Sequence, residues 1–345
     1  MPAIATTLSF SGFAALAVVM AFAFMLGVSD APNSSAALIS ARVASYRSAM
    51  TFAFLATVAG GLLAGQAVAL TMNSLVHVAA DQLPGTYLAG GIASLAFTLV
   101  LTRRGIPVSA SIALVGGLAG AAAVQAGWQA VGWGGLHGVR PYGVLGTLLA
   151  IVISPLIGGL AAAGLRRLLG RMLDRASREI MGPVRAAIWI TAGLVGLADG
   201  SNDGQKAMGL ATAILVAGGT IPSFAVPLWV TVVVALVVAT GTAAGGREIV
   251  RTVASRFYRG DPLDGLAAQS ASAITILGAA SLGAPVSTST VVASGMIGVG
   301  AGQRRRHVQW PVVRTVVTAW VITLPACALL GAGLVALGRL PGALR

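Results

Sequence analysis

Apolar residues dominate this chain in long blocks, separated by short polar or basic connectors. The pattern predicts apolar helical spans at 10–29, 50–76, 86–102, 143–165, 186–198, 208–219, 224–244, 266–281 and 311–338. A helix crossing hydrocarbon needs about 20 such residues. Pro325 falls inside the last and longest block and is expected to kink or break it. Four glycine pairs, Gly61/Gly65, Gly116/Gly120, Gly241/Gly245 and Gly298/Gly302, have the spacing of close helix contacts.

One polar stretch interrupts the pattern. Asp199-Gly-Ser-Asn-Asp-Gly-Gln-Lys-Ala-Met-Gly-Leu210 sits between two apolar runs, and Lys206 is the single lysine of the chain. Each ionised group at a helix centre in hydrocarbon costs roughly 2.5–3.5 kcal/mol by the milder scales, so such a cluster marks an intramembrane site. A polar surface loop is the plainer alternative. An echo argues against it: Gly27–Ser34 aligns without gaps on Gly200–Ala207, pairing Asp30 with Asp203 and Asn33 with Lys206.

A second echo lies downstream in each half. Gly105–Gly120 matches Gly283–Gly298 at a constant offset of 178, pairing Pro107 with Pro285, Ser109 with Ser287 and Ser111 with Ser289. Asp30 and Asp203 differ by 173. The chain therefore reads as an internal duplication: a first membrane repeat at 1–165, a basic amphipathic linker at 166–185 and a second repeat at 186–345. The linker holds six arginines against Asp174 and Glu179. Its charge places it in the cytoplasm, as a topology-setting segment with one apolar face.

Composition agrees. The hydrophobic fraction is 57%, and 9% of residues are charged, against roughly 25% in soluble domains. This is the profile of an all-α polytopic membrane protein of roughly 10–12 segments. The net charge of +13 comes from arginines in short connectors, which points to cytoplasmic loops and not to nucleic acid. A lone cysteine, Cys327, excludes an intrachain disulfide and reads as a packing residue. Residues 1–29 carry no basic residue, so the first apolar run is expected to be a retained helix and not a secretory signal.

The Gly-x-Pro-Val-Ser-x-Ser segments read as broken helices, because proline removes a backbone donor and displaces its predecessor from helical geometry. Hydroxyls of Ser109, Ser111, Ser287, Thr288 and Ser289, with free amides at a helix start, suit an anion. Two such breaks, one per repeat, are the usual pointer to a transporter binding site near the midplane. The acidic motifs are expected to supply coupling. Asp30, Asn33, Asn202 and Asp203 offer oxygens to a hard cation, and a carboxylate in a low-dielectric site can carry a proton. Lys206 has three roles open: neutralising Asp203, replacing a cation, or touching the anion.

These residues resemble the inorganic phosphate transporter (PiT) family of secondary carriers. Its duplicated Gly-Ala-Asn-Asp-Val-Ala-Asn-Ala motif falls on Gly27–Ser34 and Gly200–Ala207. Its Pro-Val-Ser-Thr-Thr-His motif falls on Pro107–Ile112 and Pro285–Thr290. The Ser201–Gly209 form is similar to the bacterial low-affinity branch. Departures are Ser29, Pro32, Ala110, Ile112, Thr290 and Asp199. The resemblance implies two inverted repeats whose helical hairpins meet at a central phosphate site. Phosphate would be held by Ser109, Ser111, Ser287, Thr288, Ser289, Asn202 and Lys206, with ion coupling at Asp30, Asn33, Asn202 and Asp203. The cargo would be inorganic phosphate, free or as a metal–phosphate complex, moved across the cell (inner) membrane. The driving ion would be a proton or sodium, with the proton favoured. No resident cofactor or metal is expected, and a homodimer is an open arrangement.

Three other readings fit parts of the pattern. Another oxyanion such as sulfate fits the same fold but lacks the proton that phosphate can donate to Asp30 or Asp203. An intramembrane hydrolase with an Asp30/Asp203 pair leaves the serine hairpins without a role, and His77, His137 and His307 are too scattered for zinc or a triad. A passive anion channel would not accumulate its cargo.

Overall fold

The computed structural model describes residues 8–104, 108–173, 180–245, 262–303 and 310–339. Among them are eleven α-helices and one small β-hairpin. The first repeat holds α1 (Phe10–Ser40), α2 (Tyr46–Leu63), α3 (Ala67–Asn73), α4 (Leu83–Arg103), α5 (Ala110–Ala126) and α6 (Gly143–Leu173). Before α6 lie β1 (Gly135–His137) and β2 (Arg140–Tyr142), paired antiparallel about a turn with Gly138 at φ 64°. The second repeat holds α7 (Met181–Ala217), α8 (Leu228–Ala244), α9 (Pro262–Ser281), α10 (Thr288–Gln303) and α11 (Trp310–Gly338).

Four helices, α1, α4, α6 and α11, are long and apolar enough to cross a membrane, and the bent pair α2/α3 makes a fifth. The chain is a multi-pass membrane protein. Local signals set the helix starts: the hydroxyls of Ser9, Ser45 and Ser109 accept from Gly12, Ser48 and Ile112 amides, capping α1, α2 and α5.

Several expectations need correction. The acidic motifs do not break their helices: α1 runs unbroken through Asp30 and Pro32, and α7 joins the expected spans 186–198 and 208–219 into one 37-residue helix. The expected span 50–76 is instead bent by 75° between α2 and α3. Helix α11 continues through Pro325. Of the expected linker, residues up to Leu173 extend α6 and those from Met181 open α7. Residues 174–179 lie outside the described residues, as do Gly105, Pro107, the arginines at 247–259 and 304–306, and His307.

The equivalent helices α1 and α7 run antiparallel. A Cβ added to Gly218, beyond the end of α7, would lie 3.3 Å from Leu8, before the start of α1. One added to Gly196, earlier in α7, would lie 3.7 Å from Ser34, late in α1. This is the inverted relation of a transporter repeat.

The halves are interleaved. Helix α1 packs along α8 and α2 along α7, while α5 packs along α11 and α6 along α10. Glycines let these backbones meet. A Cβ on Gly27 would press into the α8 backbone, 2.7 Å from Thr242 N, and one on its equivalent Gly200 would press on the Thr57 carbonyl of α2. The small-residue faces proposed from sequence behave likewise: Gly120 abuts Ala328 and Gly298 abuts Gly159. Gly65 is the exception, with nothing near it. Cys327 is buried where α11 meets Gly116, as expected of a packing residue.

Each repeat contains a helical hairpin, α4/α5 and α9/α10. In the first, Ser94 donates to Gly90 O and Ala113 O at 2.6 and 2.9 Å, and Gly117 nests on Gly90 and Ser94. In the second, the equivalent Gly295 nests on Ser272. The beginnings of α5 and α10 are thereby held towards α7.

Candidate functional site

Helices α1 and α7 bring the two acidic motifs together, and the starts of α5 and α10 close over them. Asp30 and Asn33 lie one turn apart on α1, and Asn33 Nδ2 donates to Asp30 Oδ1 at 2.9 Å. The Ser289 hydroxyl, from the first turn of α10, donates to the same oxygen. One hydroxyl of the second repeat thus binds the carboxylate of the first.

On α7, Lys206 Nζ lies 2.5 Å from Asp203 Oδ1, with the side chains 0% and 1% exposed. Lys206 also donates to Ser111 Oγ at 2.7 Å and to Val286 O at 2.5 Å. It therefore ties α7 to the start of α5 and to the irregular segment before α10. Thr288 Oγ1 donates to Asp203 Oδ2 at 3.1 Å. Of the three roles open for Lys206, the structure shows it paired with Asp203. A lysine without a partner at this depth would carry the full desolvation cost.

The other predicted residues take supporting positions. Ser109 is fully buried and caps α5 through Ile112 N at 3.2 Å. Ser287 shares a 2.5 Å hydrogen bond with Thr290. Asn202 Nδ2 donates to Ala284 O at 3.1 Å, while its Oδ1 is buried and unpartnered. All ten predicted positions belong to α1, α7 or the two hairpin starts.

Several residues of the site lie beyond those assigned a role from sequence, although Asp199 and Gln205 belong to the polar stretch already singled out. Asp199 lies within interaction range of Asp30, Asp203 and Lys206, and its Oδ1 is buried without a partner. Gln269, in the middle of α9, donates to Asn33 O and Ser34 O at 3.2 and 3.3 Å and accepts from Thr191 at 3.0 Å. An amide inside an apolar span was the available signal. Gln205 accepts from Val68 N at 3.0 Å, satisfying a donor at the α2/α3 bend. Thr71 donates to Gly283 O at 2.7 Å and Pro141 O at 3.2 Å, tying α3 to the second hairpin. Nothing in the sequence marked Thr71.

The electrostatic balance is lopsided. Three carboxylates, Asp30, Asp199 and Asp203, share the buried cluster with one ammonium, Lys206. Hydroxyl and amide donors to the carboxylates come from Thr288, Ser289 and Asn33, while Ser111 accepts from Lys206 and donates to Val286 O. Hydroxyls and helix starts favour an anion; the excess carboxylates favour a cation or proton beside it.

Comparison with known proteins gives consistent results. The sequence pattern of the phosphate transporter family matches twice, over residues 26–187 and 173–331. A probable low-affinity inorganic phosphate transporter of Rhizobium meliloti (strain 1021) is 35% identical over 319 residues, covering 92% of this chain and 93% of that protein. One from Bacillus subtilis (strain 168) is 31% identical, covering 91% and 92%. One from Mycobacterium leprae (strain TN) is 33% identical, covering 91% and 74%. A solved structure titled the sodium-dependent phosphate transporter superposes with a TM-score of 0.81 at 20% identity, covering 96% of this chain and 100% of that one. At that identity the likeness speaks for the fold.

Proposed function

The chain belongs to the phosphate transporter family, and from that premise we propose that it is a secondary carrier moving inorganic phosphate across the cell membrane with a co-transported cation. Its relatives are named as transporters and permeases, not enzymes. The observation that carries the reading is the convergence of Asp30, Asp203 and Lys206 with Ser111, Thr288 and Ser289 from the two hairpin starts.

In this reading Ser109, Ser111, Ser287, Thr288 and Ser289, with Asn202 and Lys206, hold the phosphate oxygens. Asp30, Asn33, Asn202 and Asp203 hold the coupling ion. An anion entering a cluster already rich in carboxylates is repelled unless positive charge enters with it. Symport supplies that charge. We favour a proton over sodium, because the Lys206 ammonium already stands beside Asp203 where a sodium ion would otherwise bind. Phosphate entering as a neutral metal complex meets the same requirement. The cation is cargo; no resident cofactor is invoked. In a bacterial cell the site of action would be the inner membrane.

Alternating access follows from the inverted, interleaved halves, which can rock about the shared cluster. The test is phosphate accumulation in proteoliposomes under separately imposed proton and sodium gradients. Accumulation driven by the pH gradient supports proton symport. Accumulation that follows sodium and ignores pH refutes that choice. Strong competition by sulfate against labelled phosphate would replace phosphate with a broader oxyanion cargo.

A further inference from the structure

Away from the polar cluster, the outer surface carries an apolar groove of about 860 Å³. Its walls are α6, through Ala150, Ile153 and Ile157, and α9, through Ile274 and Gly278; Val139 of the β-hairpin turn caps one end. Two hydroxyls line it, Ser154 and Thr275. Thr275 donates to Ala271 O in its own helix at 2.8 Å. A bound water needs two to four polar partners, so this groove does not hold water well. Its walls open outward, with Ile157 53% and Ile274 71% exposed. On a membrane-crossing helix the medium outside is hydrocarbon.

The rim offers a complementary charge. Arg140 is exposed between Val139 and Pro141, both of which line the groove, and among the described residues the lining contains no acidic side chain. A guanidinium fork matches a phosphate group. We propose that this groove binds the acyl chain of a membrane phospholipid, with Arg140 at the rim meeting its headgroup phosphate. The inner end of the groove is formed by Ala284 and Val286. Their carbonyls accept from Asn202 and Lys206, so the bound chain backs the segment that closes the polar cluster.

Gly278 gives a clean handle, because a Cβ added there meets nothing within 4 Å. The purified protein is reconstituted with phosphatidylglycerol bearing a photoreactive group at the end of one acyl chain, illuminated, and its peptides mapped. Adducts are expected to concentrate on the groove faces of α6 and α9. Gly278→Trp and the smaller Gly278→Leu should each reduce those adducts severalfold while leaving labelling of α11 unchanged, which also reports an intact fold. Arg140→Gln should lower the preference for labelled phosphatidylglycerol over phosphatidylcholine. Adducts spread over the whole outer surface in proportion to exposure, unchanged by either Gly278 variant, would overturn the proposal. So would efficient Ile274→Cys cross-linking between two copies that shuts out the lipid label. The labelling needs no transport readout, so its outcome is separate from the phosphate reading.

Discussion

Lys206 reaches back one turn along α7 to Asp203, and from the same nitrogen it grips Ser111 at the start of α5 and Val286 just before α10. One ammonium therefore joins the acidic helix of the second repeat to the hairpins of both. Breaking a buried ion pair leaves a lone charge and costs about 3–5 kcal/mol. Lys206→Met should lower the thermal midpoint of the purified protein sharply. Asp203→Asn combined with Lys206→Met should recover much of that loss, because no charge is stranded. A double variant as unstable as Lys206→Met alone would show that the hydrogen bonds to Ser111 and Val286 dominate.

Replacing the acidic side chains separates folding from transport. Asp30→Asn keeps the shape of the residue that accepts from Asn33 and Ser289. Asp30→Asn and Asp203→Asn are expected to abolish phosphate accumulation in proteoliposomes. Melting curves should show Asp30→Asn close to the parent.

The hairpin serines are expected to differ. Ser287 is engaged with Thr290, so Ser287→Ala should raise the KM for phosphate with little effect on stability. Ser289 serves a carboxylate of the other repeat, and a hydrogen bond to a charged group is worth about 1.5–3 kcal/mol. Ser289→Ala should weaken both transport and stability, read by uptake kinetics alongside melting.

Gly27 and Gly200 are crossing points of the interleaved helices. Gly27→Leu and Gly200→Leu should prevent recovery of monodisperse protein. Gly164→Leu, at a site where an added Cβ meets nothing within 4 Å among the described residues, is the matched control and should behave like the parent on gel filtration.

A further pair joins α6 to α9, with Arg166 Nε 2.5 Å from Asp264 Oδ1 and side-chain exposures of 14% and 13%. A pair that keeps some contact with solvent strands less charge when broken than one fully enclosed. Arg166→Gln should lower the melting midpoint by less than Lys206→Met, when both are compared in one detergent.

Much of this was legible in the sequence because duplication leaves a constant offset. Asp30 with Asp203, and Ser111 with Ser289, correspond by offset along the chain and meet in one cluster. The unbroken course of α1 and α7 was not legible. Asp30 with Asn33, and Asp203 with Lys206, are three residues apart, and such neighbours satisfy one another on a helix surface. The polar groups therefore need no break to find partners. The bend between α2 and α3 hid inside an apolar run, where Gln66 accepts from Val226 N at 3.2 Å. Helices α5 and α10, of 17 and 16 residues, are short and rich in small residues, so hydropathy did not count them as spans. The exchange of partners between halves left no trace in composition. Only the glycines hinted at it, and their spacing did not say which helix each one meets.

That exchange bears on biogenesis. The ribosome delivers α1 and α2 long before α7 and α8, so their glycine notches wait in the bilayer filled by lipid alone. A nascent chain cut off after the first half is an orphan with its contact surfaces bare, a natural target for membrane quality control.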